Sequence, residues 1–105
     1  MDFLPIFLNI KNRNCLVVGG GEVAVRKITL LLQAGAQVSV ISPELDASLS
    51  EYVALGKIKH SAEHFQPSHL HNAVLVIAAT NNRVTNRFVS ETARQHLIPV
   101  NVVDN

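Results

Sequence analysis

The residues with the clearest chemical potential are Gly19-Gly20-Gly21-Glu22-Val23-Ala24, which fit the pattern G-x-G-x-x-G/A. Alone, that pattern is a weak signal. Here it follows the apolar run Cys15-Leu16-Val17-Val18 and opens a stretch with helical spacing, the context in which it takes a dinucleotide. Gly19 permits a tight turn, and Gly21 presents no Cβ to a pyrophosphate. Ala24 lets the helix approach the strand, while the helix N-terminus offers free N–H groups to the anion. The competing reading is a glycine-rich turn with no ligand.

An acidic residue for the adenosine ribose belongs roughly 20 positions further on. Ser42 stands there instead, followed by Pro43 and Glu44. A serine can hydrogen-bond a ribose hydroxyl, but it does not repel a 2′-phosphate as a carboxylate would. Glu44 either supplies that charge from the first turn of a helix or is simply a favourable charge at a helix N-terminus. The sequence leaves both open. Ala79-Thr80-Asn81-Asn82 closes the most apolar segment of the chain and is placed both to line a ligand crevice and to cap the next helix. Asp104 follows Val100-Asn101-Val102-Val103. A carboxylate at the carboxyl edge of a sheet can act as a base towards a substrate lying over a cofactor; the plainer alternative is a solvated aspartate at a strand end.

Four histidines, His60, His64, His69 and His71, crowd twelve residues. Their spacings match no compact ligand motif, and no cysteine or paired carboxylate accompanies them, so no metal site is expected. Their polar neighbours Ser61, Glu63, Gln66 and Ser68 predict an exposed connection. Arg83, Arg87 and Arg94 share one face of a helix and read as a solvated stripe. Cys15 reads as a small core residue.

These groups need elements to position them. Residues 15–18 form a strand buried on both faces, and residues 22–34 a helix with Ala24, Ile28, Leu31 and Leu32 on one side. Gly35 stands at its C-terminal cap. Residues 38–41 give a second strand. Ser42-Pro43 then reads as an N-cap with proline at the first helical position, opening a helix through Leu45, Leu49, Tyr52 and Val53 that Gly56 closes. A thin third strand is expected over 57–61 and a central one over 73–79. Residues 82–96 form a helix with Val84, Phe88, Val89 and Ala93 inward. A fifth strand spans 98–103, with Pro99 tolerable near its start or on an edge, and residues 4–10 add a short edge strand. Strands alternating with helices predict an α/β fold, a Rossmann-like doubly wound parallel sheet in three αβα layers. The expected strand order is 3-2-1-4-5, with a switch point between the first and fourth strands.

Composition narrows the classes. A chain of 105 residues is one domain, residues 1–105. With 48% apolar and 16% charged residues it is neither disordered nor a polyelectrolyte. Nine Lys plus Arg against eight Asp plus Glu leave a net charge of +1, which offers no field to a nucleic-acid backbone or an anionic membrane. A single cysteine cannot pair internally, so a reducing, cytoplasmic setting is expected. No stretch has the ~20 apolar residues of a membrane span, and the N-terminus lacks the basic region of a secretory signal.

Taken together, several segments resemble one family: Leu4-Pro5-Ile6-Phe7-Leu8, the run from Cys15 to Ala24, Arg26-Lys27, Ala78-Ala79-Thr80-Asn81, and Asn101-Val102-Val103-Asp104. The chain is similar, over essentially its whole length, to the amino-terminal domain of siroheme synthases, the precorrin-2 dehydrogenase and sirohydrochlorin ferrochelatase family. That resemblance implies NAD as cofactor, oxidation of precorrin-2 to sirohydrochlorin, and insertion of ferrous iron to give siroheme. It implies that Asp104 serves the chemistry. It carries cofactor contacts onto Gly21, Glu22 and Val23 within the Gly19-Gly20-Gly21 loop and onto Ser42, Pro43 and Glu44, with Thr80 and Asn81 towards the nicotinamide. It further implies a homodimer for the intact protein, because the family continues into a dimerisation segment, a helical domain and often a methyltransferase domain. This chain is thus expected to be the cofactor domain of a longer protein. The alternative class is a non-catalytic NAD-binding regulatory module. Both need the glycine loop; only the enzyme needs the Asp104 carboxylate and a cleft for a polycarboxylate macrocycle.

Overall fold

The short apolar runs bounded by glycine or polar residues become the strands of one parallel sheet in this computed structural model, which describes residues 2–103. In chain order they are β1 (Asn14–Val18), β2 (Gln37–Ile41), β3 (Ile58–Ser61), β4 (Leu75–Ala78) and β5 (Val100–Val102). They pair in the order β3-β2-β1-β4-β5, all parallel. Among the described residues three α-helices connect them, α1 (Glu22–Gln33), α2 (Ala47–Ala54) and α3 (Arg83–Gln95), with a 3₁₀ turn at Pro67–Leu70.

β1 lies at the centre, and Cys15, Leu16, Val17 and Val18 are all buried because each face of the sheet is covered. Cys15 and Val17 join Ala24 and Ile28 of α1 and Leu49 of α2 in one core. Leu16 and Val18 join Leu70 of the 3₁₀ turn and Val89 and Ala93 of α3 in the other. The three-layer doubly wound architecture and its strand order are therefore as expected. α1 buries Ala24, Ile28 and Leu31, one stripe at i, i+4, i+7.

Four local expectations are corrected. First, Ser42 does not cap α2. Its N–H donates to the Ser61 carbonyl at 3.2 Å, which continues the β2–β3 ladder past the strand end. The cap is Asp46, whose Oδ1 accepts the Ser48 N–H at 3.0 Å and the Ser48 hydroxyl at 2.7 Å. Glu44 accordingly sits in the preceding loop and not in a first helical turn.

Second, residues 4–10 form no strand. Asn12 adopts φ 60° and gives its N–H to Gly35 O at 2.8 Å, so the chain before it is directed off the sheet. Phe3, Leu4, Ile6 and Phe7 are exposed. Third, Val84 and Phe88 do not point inward; they are 78% and 46% exposed. The inward face of α3 is Asn86, Val89, Thr92 and Ala93, and the two polar members are hydrogen-bonded. Fourth, the last two strands are shorter than the apolar runs that contain them.

The hydrogen bonds from Ser48 hold the Asp46 carboxyl below the ordinary carboxylate range. A lowered native pKa makes this cap fully effective above the unfolded-state value, and it is lost as pH falls through the lowered one. α2 fixes itself to the sheet through one fully buried side chain, Leu49. Leu49→Ala should cost roughly 3 kcal/mol, within the range for cavity-forming truncations. Urea unfolding should show this as a lower midpoint with an unchanged slope.

Candidate functional site

A crevice of about 610 Å³ opens at the carboxyl ends of β1, β2 and β4, where the chain turns to β2 on one side of β1 and β4 lies on the other. This is the switch-point location at which open α/β sheets take their ligands. The glycine loop forms its floor, and each glycine has a different reason to be there. Gly19 has φ +128°, and a Cβ on it would lie 2.3 Å from the Ala79 carbonyl oxygen. A Cβ on Gly20 would meet Glu44 O at 2.3 Å and Ser42 Oγ at 2.5 Å. Gly21 has nothing within 4 Å; what faces it is the open crevice.

Gly21 is also the N-cap of α1 and offers no side chain to the helix, whereas Asp46 and Asn82 cap α2 and α3. Val25 N–H closes the first turn on Gly21 O at 3.1 Å. The N–H groups before it therefore remain available to an anion, aided by the helix dipole. Glu22 is exposed and Val23 half-buried beside them. Open space at Gly21, an uncapped helix start and a crevice of this size fit a pyrophosphate with nucleosides on either side.

At the β2 end, Ser42 is buried. His60 Nε2 lies 3.0 Å from its carbonyl oxygen and 3.1 Å from its Oγ. Pro43 and Glu44 are exposed on the rim. At the β4 end, the Asn86 side chain brackets Thr80. Its Oδ1 accepts the Thr80 N–H at 3.1 Å and stands 2.6 Å from the Thr80 hydroxyl, while its Nδ2 donates to Thr80 O at 3.0 Å. Asn82 N–H donates to Thr80 Oγ1 at 3.1 Å, and Asn82 Oδ1 caps α3 by accepting the Thr85 N–H at 3.0 Å. Asn81 is exposed between them. The capping and lining roles coexist, as expected.

The loop after β3 adds Glu63, His64 and Phe65 to the lining. Phe65 is buried and meets Phe88 edge-on at 5.6 Å. His69 accepts the Gln66 N–H on Nδ1 at 2.9 Å and gives Nε2–H to Glu63 at 3.0 Å. The connection is thus less solvated than its composition predicts, since the His69 side chain is only 15% exposed. His64 and His71 are exposed. Among the described residues no group of three or more His, Cys, Asp or Glu side chains is placed to hold a metal ion. Burial pushes the Cys15 thiol up, as befits an inert core residue, and Arg83, Arg87 and Arg94 are all exposed.

Asp104 lies outside the described residues. The preceding Val103 donates its N–H to Ala78 O at 2.9 Å. Sequence reasoning missed His60 and Asn86. Asn86 carried a signal, a polar residue at i−3 and i−7 to Val89 and Ala93 on the inward face. His60 carried none.

A doubly wound sheet with an open glycine over an uncapped helix at its switch point defines a dinucleotide-binding domain of the Rossmann type. Residues 6–105 match the family described as "Putative NAD(P)-binding", and the chain belongs to that NAD(P)-binding family. The chain is 57% identical, over all of its length, to a siroheme synthase of Nitrosomonas eutropha, of which it covers 22%. It is 55% identical to one of Methylobacillus flagellatus, covering 99% of this chain and 22% of that protein. It is also similar in structure to SirC, a precorrin-2 dehydrogenase, with TM-score 0.82 and 33% identity over 94% of this chain and 48% of that one. The chain thus spans about a fifth of the length of the siroheme synthases it matches.

Because a Cβ at Gly21 would meet nothing within 4 Å, Gly21→Val should stay folded, losing only the roughly 1 kcal/mol that valine costs at an N-cap, while its side chain fills the space in front of α1. Calorimetry should then detect no NAD binding by the variant. Undiminished binding by the folded variant would place the phosphate site elsewhere.

Proposed function

We propose that this chain is the NAD-binding domain of a precorrin-2 dehydrogenase of siroheme biosynthesis. In this reading it is part of a longer, homodimeric, cytoplasmic protein that also inserts ferrous iron into sirohydrochlorin. The observation that carries it is the end-to-end match to siroheme synthases by a domain whose crevice at Gly21 fits a dinucleotide. Among the described residues no helix is long and apolar enough to cross a membrane.

When bound, NAD supplies the hydride acceptor for the oxidation. The chain's own residues do the rest. The Gly19–Gly21 loop and the first N–H groups of α1, at Glu22 and Val23, hold the pyrophosphate. Ser42, Pro43 and Glu44 take the adenosine ribose. Thr80 and Asn81 border the nicotinamide end, with Thr80 fixed by Asn86. Oxidation of precorrin-2 removes a hydride and a proton, and iron insertion removes pyrrole N–H protons. The Asp104 carboxylate, two residues past the end of β5 in the sequence, is the base for both, since both sets of protons belong to one macrocycle.

In the full-length protein, Asp104→Asn keeps the shape and removes the basicity. NAD affinity should be retained while dehydrogenation falls roughly 10²–10⁴-fold, the range for general base catalysis. Iron insertion should fall less, because the uncatalysed reaction competes. Normal rates for both would show that Asp104 has no part in the chemistry. A full-length protein that binds NAD but does not oxidise precorrin-2 would favour the regulatory module instead.

NAD is preferred over NADP in this reading, and Glu44 is the charge that disfavours the 2′-phosphate. As Glu44 is exposed, Glu44→Gln should narrow the preference only about two- to fivefold, the scale of a solvent-screened charge pair. Parallel titrations with the two cofactors would show it. Equal affinity of the unaltered chain for both would refute the role.

A further inference from the structure

We propose that His60 is a positioning residue for the adenosine-ribose end of the crevice, acting through Ser42; this rests on the NAD-binding reading above. His60 Nε2 stands 3.0 Å from Ser42 O and 3.1 Å from Ser42 Oγ. A carbonyl oxygen can only accept, so Nε2 carries the proton. One N–H is then shared between two oxygens of the same residue.

The consequence falls on the serine hydroxyl. Its oxygen accepts from the imidazole, so its own proton cannot point there. Among the described residues Oγ has no other hydrogen-bond partner. Ser42 lines the crevice, and Oγ lies directly over Gly20, within 2.5 Å of where a Cβ would be. The hydroxyl proton is thus left free to be donated to a ligand that reaches Ser42 from the crevice.

This is a different device from the carboxylate that usually closes the second strand of such folds, which accepts from ribose hydroxyls. Here a ribose oxygen accepts from serine, and the neighbouring edge strand sets the direction of that bond. His60 is on β3 and Ser42 just past β2, joined by the Ser42 N–H to Ser61 O bond at 3.2 Å. Both ends of the His60–Ser42 contact are therefore anchored in the sheet. Without His60 the hydroxyl rotor is free, and the Ser42 carbonyl loses a donor.

The test titrates the unaltered chain, His60→Leu, His60→Gln, Ser42→Ala and the Ser42→Ala/His60→Leu double variant. NAD is followed by calorimetry, and nicotinamide mononucleotide, which lacks the adenosine ribose, by NMR. His60→Leu should weaken NAD about tenfold, the scale of one net hydrogen bond, and leave the mononucleotide unaffected. His60→Gln, which keeps an N–H donor at similar reach, should recover most of the loss. The double variant should bind NAD no more weakly than Ser42→Ala alone. Unchanged NAD affinity in His60→Leu overturns the proposal. So does an equal loss of the mononucleotide, which would mark a merely structural residue, or additive losses in the double variant. Failure of the unaltered chain to bind NAD would instead remove the underlying cofactor reading.

Discussion

The crevice exists because residue 19 has no Cβ. With 2.3 Å between that missing atom and the Ala79 carbonyl oxygen, the backbones leaving β1 and β4 pass in direct contact. Any side chain there would wedge the two central strands apart at the end where they must diverge. Everything functional is referred to this contact. It sets the start of α1, lets the Ser42–Asp46 loop lie over Gly20 through the Asp46 N–H to Gly20 O bond at 2.7 Å, and brings Thr80 to the opposite wall.

The two walls are held by one strategy on different elements. At one end, an edge-strand histidine grips the backbone and hydroxyl of Ser42. At the other, a helix asparagine grips the N–H and carbonyl of Thr80. In both cases a loop residue lining the site is tied to a side chain on a strand or helix. Crevice-lining groups held this way need no ordering by a ligand, which lowers the entropic cost of binding one.

Much of this was legible in the residues. The glycine pattern and four short apolar runs separated by helical spacing admit few topologies once parallel crossovers must be right-handed and short. What escaped was decided by partners distant in sequence. Ser42-Pro43 satisfies the rules for a helix start, but the bond from Ser42 to Ser61 keeps Ser42 in the β2–β3 ladder, and Asp46 caps α2 instead. On α3, hydrophobicity argued for Val84 and Phe88 over Asn86 and Thr92. Those polar side chains could turn inward because Thr80 and the Phe88 carbonyl supply their hydrogen bonds. The N-terminal residues resembled a strand in composition, but they pair with no strand, and Phe3, Leu4, Ile6 and Phe7 stay exposed.

The bare start of α1 carries a consequence for the lifetime of the chain. α2 and α3 bring their own caps, so one first-turn N–H of each already has a side-chain partner. α1 begins on a glycine with none, and an anion seated there acts as the missing cap. Occupancy and folding are then thermodynamically linked, adding about 2.7 kcal/mol when the ligand is at a hundred times its dissociation constant. Resistance to proteolysis and heat would follow the dinucleotide supply, so that a shortage is felt first as faster turnover of the polypeptide.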